Sequence, residues 1–168
     1  MIKPLHCYFL SVCLCLCACE QSPPQRADER MVYTVTRVLD GDSLLARANN
    51  QEIEIRLFGI DAPELKQTYS QQARSAAERL LNHQSIYVEA IDRDRYGRVV
   101  AIVHVVGHEP AVNIQLVEQG AAWVYRRYTD DKALIEKERS ARQAGRGLWS
   151  LPQEQRIPPW EWRQRNRN

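Results

Sequence analysis

Two adjacent asparagines, Asn49 and Asn50, constrain the fold of this chain more than any other residues, because strand-like runs stand on both sides of them. Asparagine tolerates the positive φ angles of a two-residue hairpin turn. The run that follows alternates Ile and Leu with Glu and Arg, which is typical of a strand buried on one face. With both asparagines in the turn, Ser43 faces Arg56 across the two strands. This register predicts that Asp42 and Arg56 are neighbours.

The other elements follow from the spacing of apolar residues along the chain. Runs rich in β-branched residues predict strands over residues 32–39, 43–48, 51–58, 85–91 and 99–106. Apolar residues at helical spacing predict helices over 70–82, around 112–117 and over 130–144, and a brief apolar run at 121–125 is a candidate for the last strand. We therefore expect an α+β fold that is mainly β, a small five-stranded barrel with three helices.

The first residues of the chain predict export. Residues 1–18 contain one lysine and then a mostly apolar run with the length of a signal peptide. The sequence Leu16-Cys17-Ala18-Cys19 resembles a bacterial lipoprotein processing box, so we expect cleavage before Cys19 and a lipid on that residue. This would anchor the protein to a membrane of the bacterial cell envelope, on its periplasmic or extracellular face. An ordinary secretory signal without lipidation is the alternative.

The remaining chain divides into three parts. Residues 19–30 are rich in Gln, Pro and charge and predict a tether, residues 31–150 predict one folded domain, and residues 151–168 predict a basic tail that contains Pro and Trp. All five cysteines lie between positions 7 and 19, so the predicted domain has no disulfide. The formal net charge of +2 is too small to indicate a nucleic-acid partner by itself, so the placement of the charges must decide that question.

Three short segments concentrate charge next to predicted strand ends: Asp40-Gly41-Asp42-Ser43, the run from Arg56 to Glu64, and Tyr96-Gly97-Arg98. Calcium prefers oxygen ligands, which aspartates supply, and these segments contain no Cys or His that would favour zinc. Cleavage of a phosphodiester also needs an activated water and positive charge at the phosphate. Glu64 is a candidate base, and Arg56 and Arg98 are candidate phosphate ligands. Taken singly, these residues are more simply explained as turn residues or solvated charges, and only their combination indicates a catalytic site.

In this order and at this spacing, the three segments resemble the motifs of the staphylococcal nuclease-like (thermonuclease) family. The resemblance extends from about Val32 to Trp149. It implies a five-stranded OB-type barrel with three helices, and calcium-dependent hydrolysis of DNA and RNA to products that carry 3′-phosphates.

The resemblance also implies a role for each matching residue. The carboxylates of Asp42 and Asp61 and the main-chain carbonyl of Ala62 would bind calcium. Glu64 would be the general base on water, and Arg56 and Arg98 would hold the scissile phosphate, with Asp40 as a supporting acid. Ser43 and Ala62 stand where the best-known member has threonines. Ser43 keeps a hydroxyl, and Ala62 would contribute only its backbone.

Contacts to the rest of the substrate are less defined by the motifs. Tyr96, Tyr125 and Tyr128 are candidates to stack on a base or bond a terminal phosphate, although core packing explains Tyr125 equally well. The tail arginines Arg163, Arg165 and Arg167 are candidates for nucleic-acid contact. Two tryptophans and two prolines before them favour packing of the tail against the domain instead.

The function that best fits the sequence is that of an envelope-anchored, calcium-dependent endonuclease acting on DNA and RNA. A non-catalytic OB-fold lipoprotein that binds nucleic acid or protein is the first alternative, and a structural envelope lipoprotein is the second. The complete set of acidic residues and arginines argues against both. The sequence indicates no protein partner.

Overall fold

The computed structural model describes residues 31–166. The predicted signal peptide, the predicted lipidation site Cys19 and the predicted tether lie outside the described residues. Within the described part of the chain, no helix is both long enough and apolar enough to cross a membrane.

A closed barrel of five strands forms the centre of the molecule. The described residues contain the strands β1 (Val32–Val38), β2 (Ser43–Ala48), β3 (Gln51–Leu57), β4 (Ile60–Asp61), β5 (Ser85–Arg93), β6 (Val99–Val105) and β7 (Trp123–Val124). The order around the barrel is β1-β2-β3-β6-β5, and β5 closes onto β1. Neighbouring strands are antiparallel except for β3 and β6, which run parallel. The predicted five-stranded OB-type barrel is confirmed.

The hairpin between β2 and β3 has the predicted register. Asn49 and Asn50 adopt φ angles of 48° and 62°, the left-handed conformation that this turn requires. Ser43 pairs with Arg56, as the sequence predicts. The start of β2 and the end of β3 therefore bring their charged neighbours to the same rim of the barrel.

Apolar side chains of alternating positions fill the barrel. Along β6 every second residue, from Val99 to Val105, is buried, and Ile55 and Leu57 of β3 point into the same core. β6 is paired on both sides, by β3 and β5.

Helices pack around the barrel. They are α1 (Ser70–Leu81), α2 (Val112–Glu118), α3 (Lys132–Gln143) and α4 (Pro159–Arg165). The first three confirm the predicted helices, whereas α4 was not predicted, because seven residues of tail show too little apolar periodicity. Pro159 occupies the first turn of α4, where a missing N–H costs nothing.

The apolar run predicted as the last strand forms only the two-residue β7. This strand pairs with β4, so that Asp61 lies opposite Trp123 and Ile60 opposite Val124. The Tyr125 N–H then donates to the carbonyl of Gly59 at 2.9 Å. Through this pairing, the segment that carries Tyr125 runs beside the charged rim.

The tail packs back onto the domain, which confirms the expectation from its prolines and tryptophans. The Trp160 ring of α4 stacks on Tyr125, with ring centroids 5.1 Å apart and an angle of 4° between the planes. It also meets Trp123 edge to face at 5.9 Å. The side-chain amide of Gln67 donates to the carbonyl of Ile157, just before α4. These contacts place α4 against the β4–β7 pair and therefore next to the rim.

Candidate active site

Asp42 lies in a tight turn between β1 and β2. Its N–H donates to Oδ1 of Asp40 at 2.9 Å, and Asp40 itself is exposed. Gly41 leaves no room for a side chain, since an added Cβ would lie 2.6 Å from Cβ of Ala62 and 3.0 Å from Cβ of Ala73. The turn therefore packs closely against the segment after β4. This packing places Asp42, which is 6% exposed, at the rim.

Asp42 holds the backbone of the neighbouring motif. Its Oδ2 accepts the Ala62 N–H at 2.5 Å, and its Oδ1 accepts the Ser43 hydroxyl at 3.4 Å. Burial raises the pKa of Asp42 well above its ordinary value of 3.8, although the charge of Arg56 opposes this effect. Because Arg56 neutralises the negative charge of this buried carboxylate only in part, binding of a further cation beside it is favourable.

Arg56 joins the two predicted calcium ligands. Its Nη1 lies 3.0 Å from Oδ2 of Asp42, and its Nη2 donates to Oδ1 of Asp61 at 2.9 Å. Nη1 also donates to the carbonyl of Leu57 at 3.0 Å, and the side chain is only 16% exposed. The guanidinium predicted to hold phosphate thus lies against the acids predicted to hold calcium.

Glu64 stands at the same rim in a half-buried position. Its N–H donates to Oε1 of the buried Gln67 at 3.1 Å, which fixes the backbone after Pro63. Its carboxylate remains 39% exposed, so water can reach it. The structure therefore brings together Asp42, Ser43, Arg56, Asp61, Ala62 and Glu64, with Asp40 behind them.

A second arginine, Arg163 of α4, enters this cluster. Its Nη1 donates to Oε1 of Glu64 at 2.5 Å and to Oδ1 of Asp61 at 3.1 Å, and its Nη2 donates to Oδ2 of Asp61 at 2.8 Å. Burial lowers the pKa of Arg163, but the hydrogen bonds to both carboxylates raise it well above its usual range. The sequence predicts this residue only as a candidate for nucleic-acid contact from the tail, and its position beside the acids was not predicted. The only signal was the Pro-Pro-Trp segment, which favours docking but does not show where.

Arg98 and Tyr96 lie in the turn between β5 and β6, and among the described residues they do not contact the acidic cluster. Arg98 Nε donates to Oδ2 of Asp94 at 2.7 Å, and its guanidinium lies 5.7 Å from the Tyr96 ring centroid. Burial would raise the pKa of Asp94, but hydrogen bonds from Arg98 and Tyr96 lower it. Tyr96 is 70% exposed. The Tyr96 ring is therefore open to a substrate, whereas the guanidinium of Arg98 is paired with Asp94.

The two other predicted substrate-binding tyrosines form one aromatic cluster beside the rim. Tyr125 meets Tyr128 edge to face at 4.9 Å, while one face of its own ring is covered by Trp160. Tyr128 is 59% exposed. Tyr128 is therefore open to a base, and Tyr125 offers a base less surface because the tail covers it.

The donor atoms of the rim suit a hard divalent cation. Every side chain with a predicted calcium-binding role is a carboxylate. The guanidinium groups of Arg56 and Arg163 already form ion pairs with the acids of the rim, which shows that this site accepts positive charge. Among residues 31–166 no three acidic, His or Cys side chains form a ready-made metal cage. Two aspartates with the Ala62 carbonyl and water are a fitting set, because calcium accepts carbonyl and water oxygens alongside carboxylates.

The molecule belongs to a class of small OB-type barrel proteins that carry buried acids and an arginine at one rim. Such a rim can hold a cation beside a phosphate. Comparison with known proteins identifies the family within this class. The model of the family described as staphylococcal nuclease homologue matches residues 54–151. The chain belongs to this family.

Relatives from bacteria and plants have similar chains. An uncharacterized endonuclease of Escherichia coli is 40% identical over 131 residues, which cover 78% of this chain and 84% of the relative. A micrococcal nuclease of Shigella flexneri is 37% identical over 156 residues, covering 88% and 87% respectively. A probable staphylococcal-like nuclease, CAN1, of Oryza sativa subsp. japonica is 36% identical over 128 residues, but these are 36% of its length.

Proposed function

We propose that this protein is a calcium-dependent endonuclease that hydrolyses DNA and RNA to products with 3′-phosphates. The observation that carries this proposal is the bridge of Arg56 between Asp42 and Asp61, with Glu64 at the same rim. Relatives named as nucleases and endonucleases, and the family itself, support hydrolysis of nucleic acid. The oxygen-only donor set supports calcium over a softer metal.

The residues of the rim divide the work of phosphodiester hydrolysis. Asp42, Asp61 and the carbonyl of Ala62 would hold the calcium ion, which supplies positive charge at the phosphoryl oxygens and positions water. Glu64, solvent-accessible and fixed at its backbone by Gln67, takes the proton from the attacking water.

Two arginines would then bind the phosphate. Arg56 bonds both Asp42 and Asp61, and with a cation sharing the charge of these acids it would have donors free for a phosphate. Arg98 approaches from the β5–β6 turn, where Asp94 orients it. The exposed rings of Tyr96 and Tyr128 offer surfaces on which flanking bases can stack.

The test is cleavage of single-stranded DNA by the purified protein. We expect cleavage in calcium, none after chelation, and recovery when calcium is restored. End analysis of the products should find phosphate on the 3′ end. A folded protein that binds DNA without cleaving it in calcium would instead be the non-catalytic nucleic-acid-binding barrel.

We also propose that the protein is anchored to the cell envelope by lipid on Cys19. The processing box in the sequence supports this, and a lipid anchor would keep the nuclease outside the cytoplasm. Labelling of the cells with palmitate should mark the wild-type chain and not a Cys19→Ser variant. Equal labelling of both chains would exclude Cys19 as the attachment site.

A further inference from the structure

Arg163 occupies the carboxylate oxygens that the proposed function assigns to metal binding and to water activation. Oδ2 of Asp61 accepts its Nη2 at 2.8 Å, and Oε1 of Glu64 accepts its Nη1 at 2.5 Å. Oδ1 of Asp61 accepts from both Arg56 and Arg163, at 2.9 Å and 3.1 Å. Asp61 is 1% exposed, so no bulk water competes for these positions.

Calcium and the Arg163 guanidinium would compete for the carboxylate of Asp61. Calcium binds carboxylate oxygen at about 2.3–2.6 Å. Because each oxygen of Asp61 already accepts a hydrogen bond from Arg163, a bound calcium ion would lie within a few ångströms of a second positive charge. Repulsion between like charges is strong where the surroundings are buried. Occupation by one cation therefore weakens occupation by the other.

The two arginines of the cluster differ in how firmly they are held. Arg56 belongs to β3 and is 16% exposed, with a further hydrogen bond to the Leu57 carbonyl. Arg163 is 38% exposed and comes from the last helix of the chain. Of the two, Arg163 is the guanidinium that can leave without disturbing the barrel.

Contacts other than those of Arg163 also anchor α4 to the domain. Trp160 stacks on Tyr125, and the Ile157 carbonyl accepts from the side chain of Gln67. Pro159 is buried. The helix thus keeps the guanidinium beside the acids at a high effective concentration, whether or not the ion pairs are formed.

We propose that Arg163 is a further residue of the active site that competes with calcium for Asp61 and, while it is bound there, also occupies the carboxylate of Glu64. The C-terminal helix then sets the calcium concentration at which the site becomes occupied and Glu64 is freed. This inference rests on the proposed function, because it assumes calcium at Asp61.

Calorimetric titration of the full chain with calcium alone, without nucleic acid, tests the competition. Arg163→Gln removes the competing charge, so we expect calcium to bind roughly tenfold tighter, the effect of losing one charge-assisted pair. Arg165→Gln is the matched control. It lies on the same helix and loses the same charge, but its partner is Glu161 at 3.1 Å, so its calcium affinity should stay within about twofold of wild type.

A second readout follows the guanidinium itself. In the wild-type protein with 15N-labelled arginine, calcium should shift or broaden the side-chain signal of Arg163, and the signal of Arg165 should stay unchanged. Equal calcium affinity of wild type and Arg163→Gln, with an unmoved Arg163 signal, would overturn the competition and leave the proposed function standing. Unchanged affinity with slower turnover of Arg163→Gln would also overturn it and make Arg163 a positioning residue for Glu64. If neither protein binds calcium, both proposals fail.

Discussion

At the scale of single residues, the buried acids of the rim lower the stability of the fold. Asp42 and Asp61 are 6% and 1% exposed, and both form an ion pair with Arg56. Burying two like charges is unfavourable unless cations compensate them, and in the proposed function part of this compensation comes from a bound cation. This is the arrangement expected where a site is built for binding a cation rather than for holding the fold together.

Replacing Glu64 by Gln should separate catalysis from folding. The amide keeps the size of the side chain and can still accept from Arg163, but it cannot take a proton from water. We expect turnover to fall by about 10²–10⁴-fold with little change in thermal stability. The exposed Glu89, changed to Gln, is the control and should keep full turnover. Undiminished cleavage by the Glu64 variant would remove this residue from the role of base.

Replacing Asp42 by Asn should stabilise the protein in chelator at neutral pH. The folded-state pKa of Asp42 lies above its ordinary value of 3.8, so the folded state takes up a proton before the unfolded chain does. The charged form therefore costs stability at neutral pH, and that cost fades as the pH falls through the folded-state pKa toward 3.8.

Urea unfolding of both proteins at several pH values measures this effect. We expect Asp42→Asn to be more stable by on the order of 1 kcal/mol at neutral pH, with a smaller difference in acid, and to have lost calcium binding. A variant that is less stable than wild type at neutral pH would show that the ion pair with Arg56 outweighs the burial of the charge.

At the scale of elements, the β2–β3 hairpin does most to assemble the rim, and its turn can be tested directly. Asn50 has a φ of 62°, where a β-branched residue is strained. We expect Asn50→Val to lower the free energy of unfolding by about 1–2 kcal/mol, and Asn50→Gly to change it by less than about 0.5 kcal/mol. Equal stability of the two variants would mean that the turn does not determine the register.

The β1–β2 turn depends on a close approach of two chain segments. A Cβ at position 41 would lie 2.6 Å from Cβ of Ala62, so Gly41→Ala forces the turn away from the segment after β4. We expect a loss of about 1–3 kcal/mol in unfolding free energy, together with weaker calcium binding. Adding Ala62→Gly removes the clashing methyl group and should restore part of both losses. No recovery in the double variant would place the strain at Ala73 instead.

The parts of the site that the sequence predicts are the parts formed by local rules. Asn49-Asn50 sets the register, and the register brings Asp42 to Arg56, so these residues could be placed without a structure. Arg163 could not be placed in this way. It reaches Asp61 from about a hundred positions further along the chain, through the stacking of Trp160 on Tyr125. Such long-range packing leaves no periodic pattern in the sequence.

At the scale of the whole molecule, the site is assembled from three distant parts of the chain. The barrel supplies Arg56 and the turn that carries Asp42, the β4–β7 pair supplies Asp61 and Trp123, and the tail supplies Trp160 and Arg163. The tail contacts both the aromatic cluster and the acids, so docking of α4 and occupation of Asp61 by Arg163 should be coupled.

A double-mutant cycle measures this coupling. Trp160 anchors α4 through Tyr125 and Trp123, so Trp160→Ala should tighten calcium binding, because α4 then delivers Arg163 less effectively. Once Trp160 is removed, Arg163→Gln should add little, so the two effects on calcium affinity should be clearly less than additive. Trp162→Ala is the control, since among the described residues the Trp162 ring stacks on no other ring. Strictly additive effects would mean that Arg163 acts on the site independently of the docking of its helix.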